Sequence, residues 1–420
     1  MTKGDFETMN FDFLIKNAKL RSGSIRDIGI TSGKIEAISE KTNGTAKREL
    51  DAQGMLVTEP FVIAHLHLDK VLTGSFADEE VLEQYHGTEA SMSGAMTAIE
   101  LASKVKEHYV ESEIVARVRK VLTDAEFYGV SEIRAFVDVD TKAELTGVKA
   151  ILKVKGEFED RIGIQIVAFP QDGIIREPGT EELLYKSMDL GADLVGGIPW
   201  IELTDEDARR HVDITFEIAK KYDADVSMLT DDAGDPELRT TEYLATVAIK
   251  SGRVGRVTAC HARATGLYND VHHRKFAALM KKADVGIVTD PHTAPLHVKV
   301  KELLNAGVNV ALSQDDVYDA YYPYGRCNML EVAFLGAHLL WMMSKQDRET
   351  LYDMITINAA KIMRLRDYGL SIGNTANLVI LNSSDLRDAL TYHQEPLYFI
   401  RKGEVRCETH MQRKHKVLAS

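Results

Sequence analysis

Two histidines separated by one residue, His65 and His67, are the residues of this chain best suited to chemistry. They follow an apolar run, residues 61–64, that is typical of a β-strand buried on both faces. Residues i and i+2 of a strand point to the same side, so the two imidazoles can reach one point. Neutral imidazole is the commonest metal ligand at physiological pH. The pair predicts a metal site, and the alternative interpretation is two polar residues on an exposed strand.

The elements that must position this pair alternate regularly between strand and helix. Candidate strands lie at residues 60–67, 132–139, 162–169, 192–198, 225–229, 255–261, 284–289 and 308–313, and candidate helices include 142–154, 205–222, 241–251 and 298–306. Eight such strands over roughly 250 residues predict a (β/α)8 TIM-type barrel. The competing fold, an open doubly wound sheet, normally carries a glycine-rich phosphate loop after an early strand, which this sequence lacks.

In such a barrel the chemistry takes place at the carboxyl ends of the strands. The first strand ends in His65 and His67, and the sixth ends at His261. Polar residues also follow the third, fifth and eighth strands: Gln171, Asp172, Asp231, Asp232, Asp315 and Asp316. Because five strand ends carry residues that bind metals or move protons, the pattern indicates an enzyme.

Both ends of the chain have the pattern of small antiparallel β-structure. Short strand candidates with turn residues occupy about residues 11–57, and apolar runs recur at 377–381 and 397–400. We therefore predict a small β-sandwich built from both chain ends, residues 1–60 and 366–420, whose strands could share one sheet. The barrel occupies residues 61–365. The long segment 71–130 is predicted to be mostly helical and to cover the barrel mouth.

Composition narrows the class of protein. The 420 residues are 45% hydrophobic, and 51 basic against 64 acidic residues give a net charge of −13. This balance disfavours nucleic acid and anionic membranes as partners. The three cysteines are scattered, which favours a reducing compartment. No signal peptide or membrane span is evident, so the expected location is cytoplasmic.

With these residues established, the chain resembles the amidohydrolase superfamily, and within it the cytosine deaminase group. The resemblance extends over nearly all 420 residues. Its most specific parts are Phe169-Pro170-Gln171 and Asp315-Asp316-Val317, and further similar segments lie at 65–69, 166–174, 191–199, 256–261 and 315–325. N-alkylaminotriazine hydrolases of the same superfamily are also similar, so the substrate stays open between these groups.

The resemblance implies a role for each matching residue. His65 and His67 bind one divalent metal ion, zinc or iron, and Asp315 is a further ligand that also takes a proton from the attacking water. A divalent cation lowers the pKa of bound water to about 7, which supplies hydroxide at neutral pH. His261 is implied to hydrogen-bond this water or the developing tetrahedral centre.

Two further residues are implied to bind a heterocyclic substrate. The Gln171 amide has a donor and an acceptor for an –NH–C=O ring edge, and Asp316 lies on the amino side of the substrate. The non-functional alternatives are that Asp315 and Asp316 cap the following helix, that His261 is a core histidine, and that Gln171 is a loop residue. We expect solvent exposure for His272, His273, His410 and His415, whereas His292, His297 and the aromatic run 321–324 are candidates for the pocket wall.

The sequence departs from the family pattern at the fifth strand. The family has a third metal histidine there, followed three residues later by a glutamate that carries protons to the leaving amine; here these positions are Leu229 and Asp232. Leucine cannot bind a metal. His65, His67 and Asp315 still supply three ligands, a set that suits zinc, ferrous iron or manganese, and Asp231 and His261 are candidates to fill the gap. Phe136 replaces a second histidine of the cytosine deaminases.

Three functions follow from this pattern. The first is a metal-dependent hydrolase of C–N bonds in a small nitrogen heterocycle, most simply a deaminase. The second hydrolyses an N-alkylaminotriazine or a cyclic amide. The third is a metal-poor barrel that binds a heterocycle without catalysis, because Leu229 replaces the third histidine. A homo-oligomer is expected only from the resemblance.

Overall fold

The structure, a computed structural model, describes residues 9–42, 44–74, 99 and 103–410. Its strands are β1 (Met9–Lys19), β2 (Ile25–Thr31), β3 (Lys34–Ser39), β4 (Gly44–Asp51), β5 (Val57–Thr58), β6 (Phe61–Leu66), β7 (Val130–Asp138), β8 (Gly163–Phe169), β9 (Leu194–Gly197), β10 (Asp225–Thr230), β11 (Val257–His261), β12 (Gly286–Thr289), β13 (Val310–Leu312), β14 (Leu378–Ile380), β15 (Tyr398–Arg401) and β16 (Glu404–Glu408). Its helices are α1 (Glu111–Phe127), α2 (Thr146–Phe158), α3 (Thr180–Leu190), α4 (Asp205–Tyr222), α5 (Thr240–Lys250), α6 (Asp270–Ala283), α7 (Val300–Asn305), α8 (Met329–Leu339), α9 (Lys345–Met354), α10 (Ile357–Ile362) and α11 (Leu386–Tyr392).

The chain divides into two compact units, and the smaller one is built from both chain ends. It contains residues 1–60, 126–129 and 367–420. Strands β3-β2-β1-β4 form one sheet and β16-β15-β14-β5 form another. Side chains of both sheets, among them Ile15, Ile28, Leu378 and Ile400, make one apolar core. The chain ends thus share a core and, through β5, the sheet of the C-terminal strands, whereas β1 to β4 form a sheet of their own.

The larger unit, residues 61–125 and 130–366, contains the barrel. Its eight strands are parallel neighbours in the order β6 to β13, which is also their order in the chain. A parallel bridge between Leu66 and Asp315 joins the first strand to the end of the last. Sequential order with helices between the strands confirms the predicted (β/α)8 barrel and excludes the doubly wound alternative, in which the strand order reverses.

Local sequence explains where these elements begin and end. All six residues of β6 are buried, as its continuous apolar run predicts. Helix α4 begins after Thr204, whose side chain accepts a hydrogen bond from the Asp207 amide, and has lysines in its last turn. The helix predicted at 142–154 begins later, at Thr146, because the Asp140 carboxylate binds the amides of Lys142 and Ala143 in a preceding turn.

The predicted cover of the barrel mouth falls largely on residues 75–98 and 100–102, which lie outside the described residues. The described remainder of that segment contains α1 and, before it, Lys106 and Tyr109, whose side chains contact strand-end residues of the barrel. Among the residues that the structure describes, no helix is long and apolar enough to cross a bilayer.

Candidate active site

Backbone pairing between the first and last strands of the barrel positions three of the predicted ligands. The His67 amide donates to the Asp315 carbonyl at 2.9 Å, and the Asp315 amide donates to the His65 carbonyl at 3.1 Å. The Ser313 hydroxyl lies 2.8 Å from both the amide nitrogen and the carbonyl oxygen of His65. Asp315 itself has a left-handed backbone, with φ +67°. The pairing therefore fixes both histidines relative to this aspartate.

Three imidazoles converge on one carboxylate oxygen of Asp315. Its Oδ1 lies 2.9 Å from His65 Nε2, 3.9 Å from His67 Nε2 and 3.9 Å from His261 Nε2. The His65 ring centroid is 5.0 Å from the centroids of both other rings. All four side chains are buried. The structure thus brings together His65, His67, His261 and Asp315, as the sequence analysis predicted.

Two overlapping sets of residues could hold a divalent cation: one is His65, His261 and Asp315, and the other is His67, Asp315 and Asp316. Zinc–nitrogen and zinc–oxygen bonds are about 2.0–2.2 Å long, so ligand atoms around one ion lie roughly 3–4 Å apart. Burial lowers the pKa of His65 and of His67 well below the ordinary value, so both are neutral and able to ligate. Their Nδ1 atoms have no hydrogen-bond partner among the described residues. Burial and the neighbouring Asp290 raise the pKa of Asp315, and a cation would relieve this unfavourable charge.

A network of charged residues that the sequence analysis missed holds His261. Asp290, directly after β12, places Oδ1 2.9 Å from His261 Nδ1, and its Oδ2 accepts from Arg263 Nη2 at 3.0 Å. The Thr293 hydroxyl lies 2.7 Å from Asp290 Oδ2 and 3.0 Å from Asp315 Oδ2. Asp290 follows the seventh strand, so the strand-end rule applied there would have found it.

The same network also holds Asp232, the predicted proton carrier, through an ion pair. Arg263 Nη1 donates to Asp232 Oδ1, so one arm of this guanidinium holds Asp232 and the other holds Asp290. Burial lowers the pKa of His261, but Asp290 and Asp232 outweigh it and raise that pKa to about 9. A histidine binds a metal in its neutral form, so ligation by His261 would be accompanied by release of a proton.

The two departures from the family pattern are buried apolar residues, and one of them, Phe136, packs against the candidate ligands. Leu229 is buried on β10 and pairs in register with Cys260, one residue before the pair Thr230 and His261. The Phe136 ring lies 4.2 Å from the His65 ring and 5.8 Å from the His67 ring, measured between centroids.

Asp231 does not fill the gap that Leu229 leaves. Both of its carboxylate oxygens accept hydrogen bonds from the backbone and hydroxyl groups of Thr240 and Thr241, at 2.6–3.0 Å. Asp231 therefore caps helix α5, and the suggestion that it completes the metal site was wrong.

Gln171 lies on a loop that charged residues hold from two sides. Its side chain is buried, and its Oε1 has no hydrogen-bond partner among the described residues. The next residue, Asp172, pairs with Lys106 Nζ at 2.8 Å. Further along, the Glu202 carboxylate accepts from the amides of residues 174–176 at 2.8–3.1 Å. Gln171 is therefore a buried polar residue whose side-chain oxygen can still accept a hydrogen bond, not an ordinary surface-loop residue.

Asp316 is also buried beside the cluster. One ligand atom each from His67, Asp315 and Asp316 lies within 4.8 Å of the others. Burial, Asp315 and Asp319 raise the pKa of Asp316 well above its ordinary range. Neither Asp315 nor Asp316 caps the following helix, because Asn328 caps α8.

The remaining histidines and aromatic residues divide between surface and interior. The expected solvent exposure is confirmed for His410 but was wrong for His273, which is buried on α6. His272 is half-buried and pairs with Glu242. His415 lies outside the described residues. His292 is half-buried, and its Nε2 lies 3.2 Å from the Gln314 carbonyl. Tyr321 is also half-buried and its hydroxyl has no partner among the described residues, whereas Tyr324 is exposed.

Comparison with known proteins assigns the family. The sequence profile of the amidohydrolase family matches residues 48–407. N-isopropylammelide isopropyl amidohydrolase from Pseudomonas sp. (strain ADP) is 32% identical over 398 residues, which cover 94% of this chain and 97% of that protein. The chain therefore belongs to the amidohydrolase family, and it is a hydrolase of C–N bonds.

Solved structures agree with this assignment. The 5-methylcytosine deaminase from Klebsiella pneumoniae, liganded with phosphonocytosine, superposes with a TM-score of 0.88 at 31% identity, covering 96% of this chain and 100% of that one. N-isopropylammelide isopropylaminohydrolase from Burkholderia multivorans ATCC 17616 gives a TM-score of 0.80 at 25% identity, covering 94% and 98%. The predicted superfamily is confirmed.

Proposed function

We propose that this chain is a metal-dependent aminohydrolase that releases ammonia from a small nitrogen heterocycle of the cytosine type. The observation that carries the proposal is the convergence of three imidazole Nε2 atoms on Asp315 Oδ1. His65, His67 and Asp315 would hold one divalent ion, zinc or iron. When bound, such an ion would supply hydroxide at neutral pH by lowering the pKa of water.

The protein's own residues would move the protons and orient the ring. Asp315, whose Oδ2 lies 3.0 Å from the Thr293 hydroxyl, is the proposed acceptor of the proton of the attacking water. Asp232 is the proposed proton carrier to the leaving amine, through the carboxylate oxygen that Arg263 leaves free. Gln171 and Asp316 would bind the substrate edge, because buried polar groups with unused hydrogen-bonding atoms favour a ligand that forms hydrogen bonds with them.

The second candidate is hydrolysis of an N-alkylated amine, as the name of the Pseudomonas relative suggests. Both reactions use the same attack on a ring carbon and differ in the amine that leaves. A panel containing cytosine, 5-methylcytosine and N-isopropylammelide, scored for ammonia against alkylamine, separates them. Family membership argues against the non-catalytic binder. The proposed cytoplasmic location and heterocyclic substrate rest on sequence composition and resemblance.

Asp315→Asn provides the test of the mechanism. We expect turnover to fall by a factor of about 1,000 or more, because the variant loses a ligand and a proton acceptor together. Asp270→Asn, a change at an exposed position of α6, is the matched control and should retain activity. Retention of wild-type activity by Asp315→Asn would refute the mechanism. Less than about a tenth of an equivalent of metal in wild-type protein grown with added zinc and iron would favour the binder instead.

A further inference from the structure

We infer that His261 is itself a ligand of the cation, and that it takes the third imidazole position that Leu229 cannot fill. This inference rests on the proposed function, since it concerns the same metal. It reassigns His261 from hydrogen-bonding the attacking water to holding the metal. Three features of the site support this role of His261: its free ring nitrogen, the contacts that hold the ring, and the absence of a metal ligand at the described end of β10.

The free nitrogen of His261 faces the cluster. Its Nδ1 is engaged by Asp290 Oδ1 at 2.9 Å, which leaves Nε2 available. This Nε2 lies 3.9 Å from Asp315 Oδ1, the same distance as the Nε2 of His67. Ligand atoms of His65, His261 and Asp315 all lie within 4.8 Å of one another. A histidine that binds metal through one nitrogen usually gives the other to a carboxylate, and the pair with Asp290 is of this kind.

The ring of His261 is also fixed in this orientation. Arg263 Nη2 and the Thr293 hydroxyl both bind Asp290 Oδ2, at 3.0 and 2.7 Å, so the carboxylate that orients the ring is itself held. The backbone of His261 is left-handed, with φ +65°, where the strand ends. Since a non-glycine residue adopts this conformation at a cost, the surrounding contacts must maintain it. These contacts aim Nε2 at the metal ligands.

The neighbouring strand offers no competing ligand at its described end. Leu229 is apolar, both oxygens of Asp231 are used in capping α5, and Asp232 is paired with Arg263. With His261 the set becomes three histidines and one aspartate, which restores the number that a histidine at Leu229 would have supplied.

Metal affinity of single-residue variants tests the assignment. Wild-type protein, His261→Gln, His65→Gln and His292→Gln are stripped of metal, and their Zn²⁺ affinity is measured by competition with a chromophoric chelator. We expect His261→Gln and His65→Gln each to weaken Zn²⁺ binding at least a hundredfold. His292→Gln, which removes a half-buried histidine bonded to the Gln314 carbonyl, should stay within threefold of wild type.

X-ray absorption at the zinc edge of the wild-type protein counts the imidazoles without any substitution, and we expect three. A count of two imidazoles would overturn the inference and leave the proposed function intact. The same conclusion would follow if folded His261→Gln kept the wild-type Zn²⁺ affinity while His65→Gln lost it. Failure of the wild-type protein to bind Zn²⁺, Fe²⁺ or Mn²⁺ would overturn both. Asp290→Asn gives a second variant: a 10–100-fold loss of affinity is expected of a group that orients a ligand, and unchanged affinity would contradict the orientation argued above.

Discussion

Asp231 and Asp232 are adjacent in the chain but have different partners. Asp231 is fully buried and binds the first two amides of α5 together with two threonine hydroxyls. Asp232 faces Arg263, which connects it to Asp290 and so to His261. One aspartate thus holds a helix in place, and the other belongs to the charged network of the candidate site.

We expect Asp231→Ala to lower the free energy of unfolding by about 1–3 kcal/mol, because it leaves two buried amides at the start of α5 without an acceptor. Urea denaturation followed by far-ultraviolet circular dichroism measures the change. Asp235→Ala, an exposed position in the same connection, is the control. Unchanged stability combined with weaker Zn²⁺ binding would mean that Asp231 is a metal ligand after all.

At the scale of elements, Glu202 connects three parts of the barrel unit. Its carboxylate binds the amides of residues 174–176 after β8, and its Oε1 lies 2.7 Å from His211 Nδ1 on α4. The other ring nitrogen, His211 Nε2, accepts from the Ile198 amide after β9 at 3.0 Å. The loop that presents Gln171 is therefore held in shape before any ligand arrives.

Glu202→Gln should loosen this loop, because an amide cannot accept hydrogen bonds with both of its ends. We expect KM to rise about tenfold, which corresponds to about 1.4 kcal/mol, while kcat changes less than threefold. Hydrogen exchange at residues 174–176 should become faster in the variant whether or not a substrate is known. Glu206→Gln, at an exposed position of α4, should change neither quantity. Unaltered exchange at this loop would show that Glu202 does not position it.

The same carboxylate predicts a pH dependence. Burial raises the pKa of Glu202, but His211 and the loop amides outweigh this and hold that pKa below its ordinary value. Its stabilising effect is therefore fully present above the unfolded value of about 4.3 and is lost as pH falls through the lower folded pKa. The difference in unfolding free energy between wild type and Glu202→Gln should be constant from pH 8 to 5 and shrink below about pH 4.3. A difference that already shrinks between pH 7 and 6 would point to titration of His211 instead.

At the scale of the whole molecule, the described part of the barrel mouth is rich in buried carboxylates. Asp138, Asp315, Asp316 and Asp319 are all buried, and burial is the largest cause that raises the pKa of each. Lys70 and Lys106 pair with Asp138, at 2.5 and 3.5 Å. Near Asp315 and Asp316 the structure places imidazoles, and a divalent cation would supply the compensating charge.

A bound cation should therefore stabilise the folded protein. At a free Zn²⁺ concentration of about 100 times Kd, binding to the native state alone contributes about 2.7 kcal/mol. We expect the thermal unfolding midpoint of chelator-treated protein to rise by several degrees when Zn²⁺ is added, and the rise to disappear in His65→Gln. Equal midpoints with and without Zn²⁺ would argue against an intact site.

The sequence by itself determined the architecture. Apolar segments separated by amphipathic helices predicted all eight barrel strands, because a strand that is buried on both faces is mostly apolar. The rule that chemistry lies at strand ends also selected His65, His67, His261 and Asp315, which the fold brings together. Local pattern sufficed here because strand position and burial follow from hydrophobicity alone.

Only the tertiary structure decided which strand-end residues belong to the candidate site and which hold a helix in place. Asp231 and Asp232 are equivalent by residue type, and their difference arises from α5 and Arg263, which reach them through packing. Likewise, the free nitrogen of His261 is known only once Asp290 is found at its other nitrogen. A hydrogen bond depends on distance and direction between residues far apart in the chain, and sequence spacing does not encode either. The His65 and His67 pair indicated a metal site; the fold supplied the third imidazole that we assign to it.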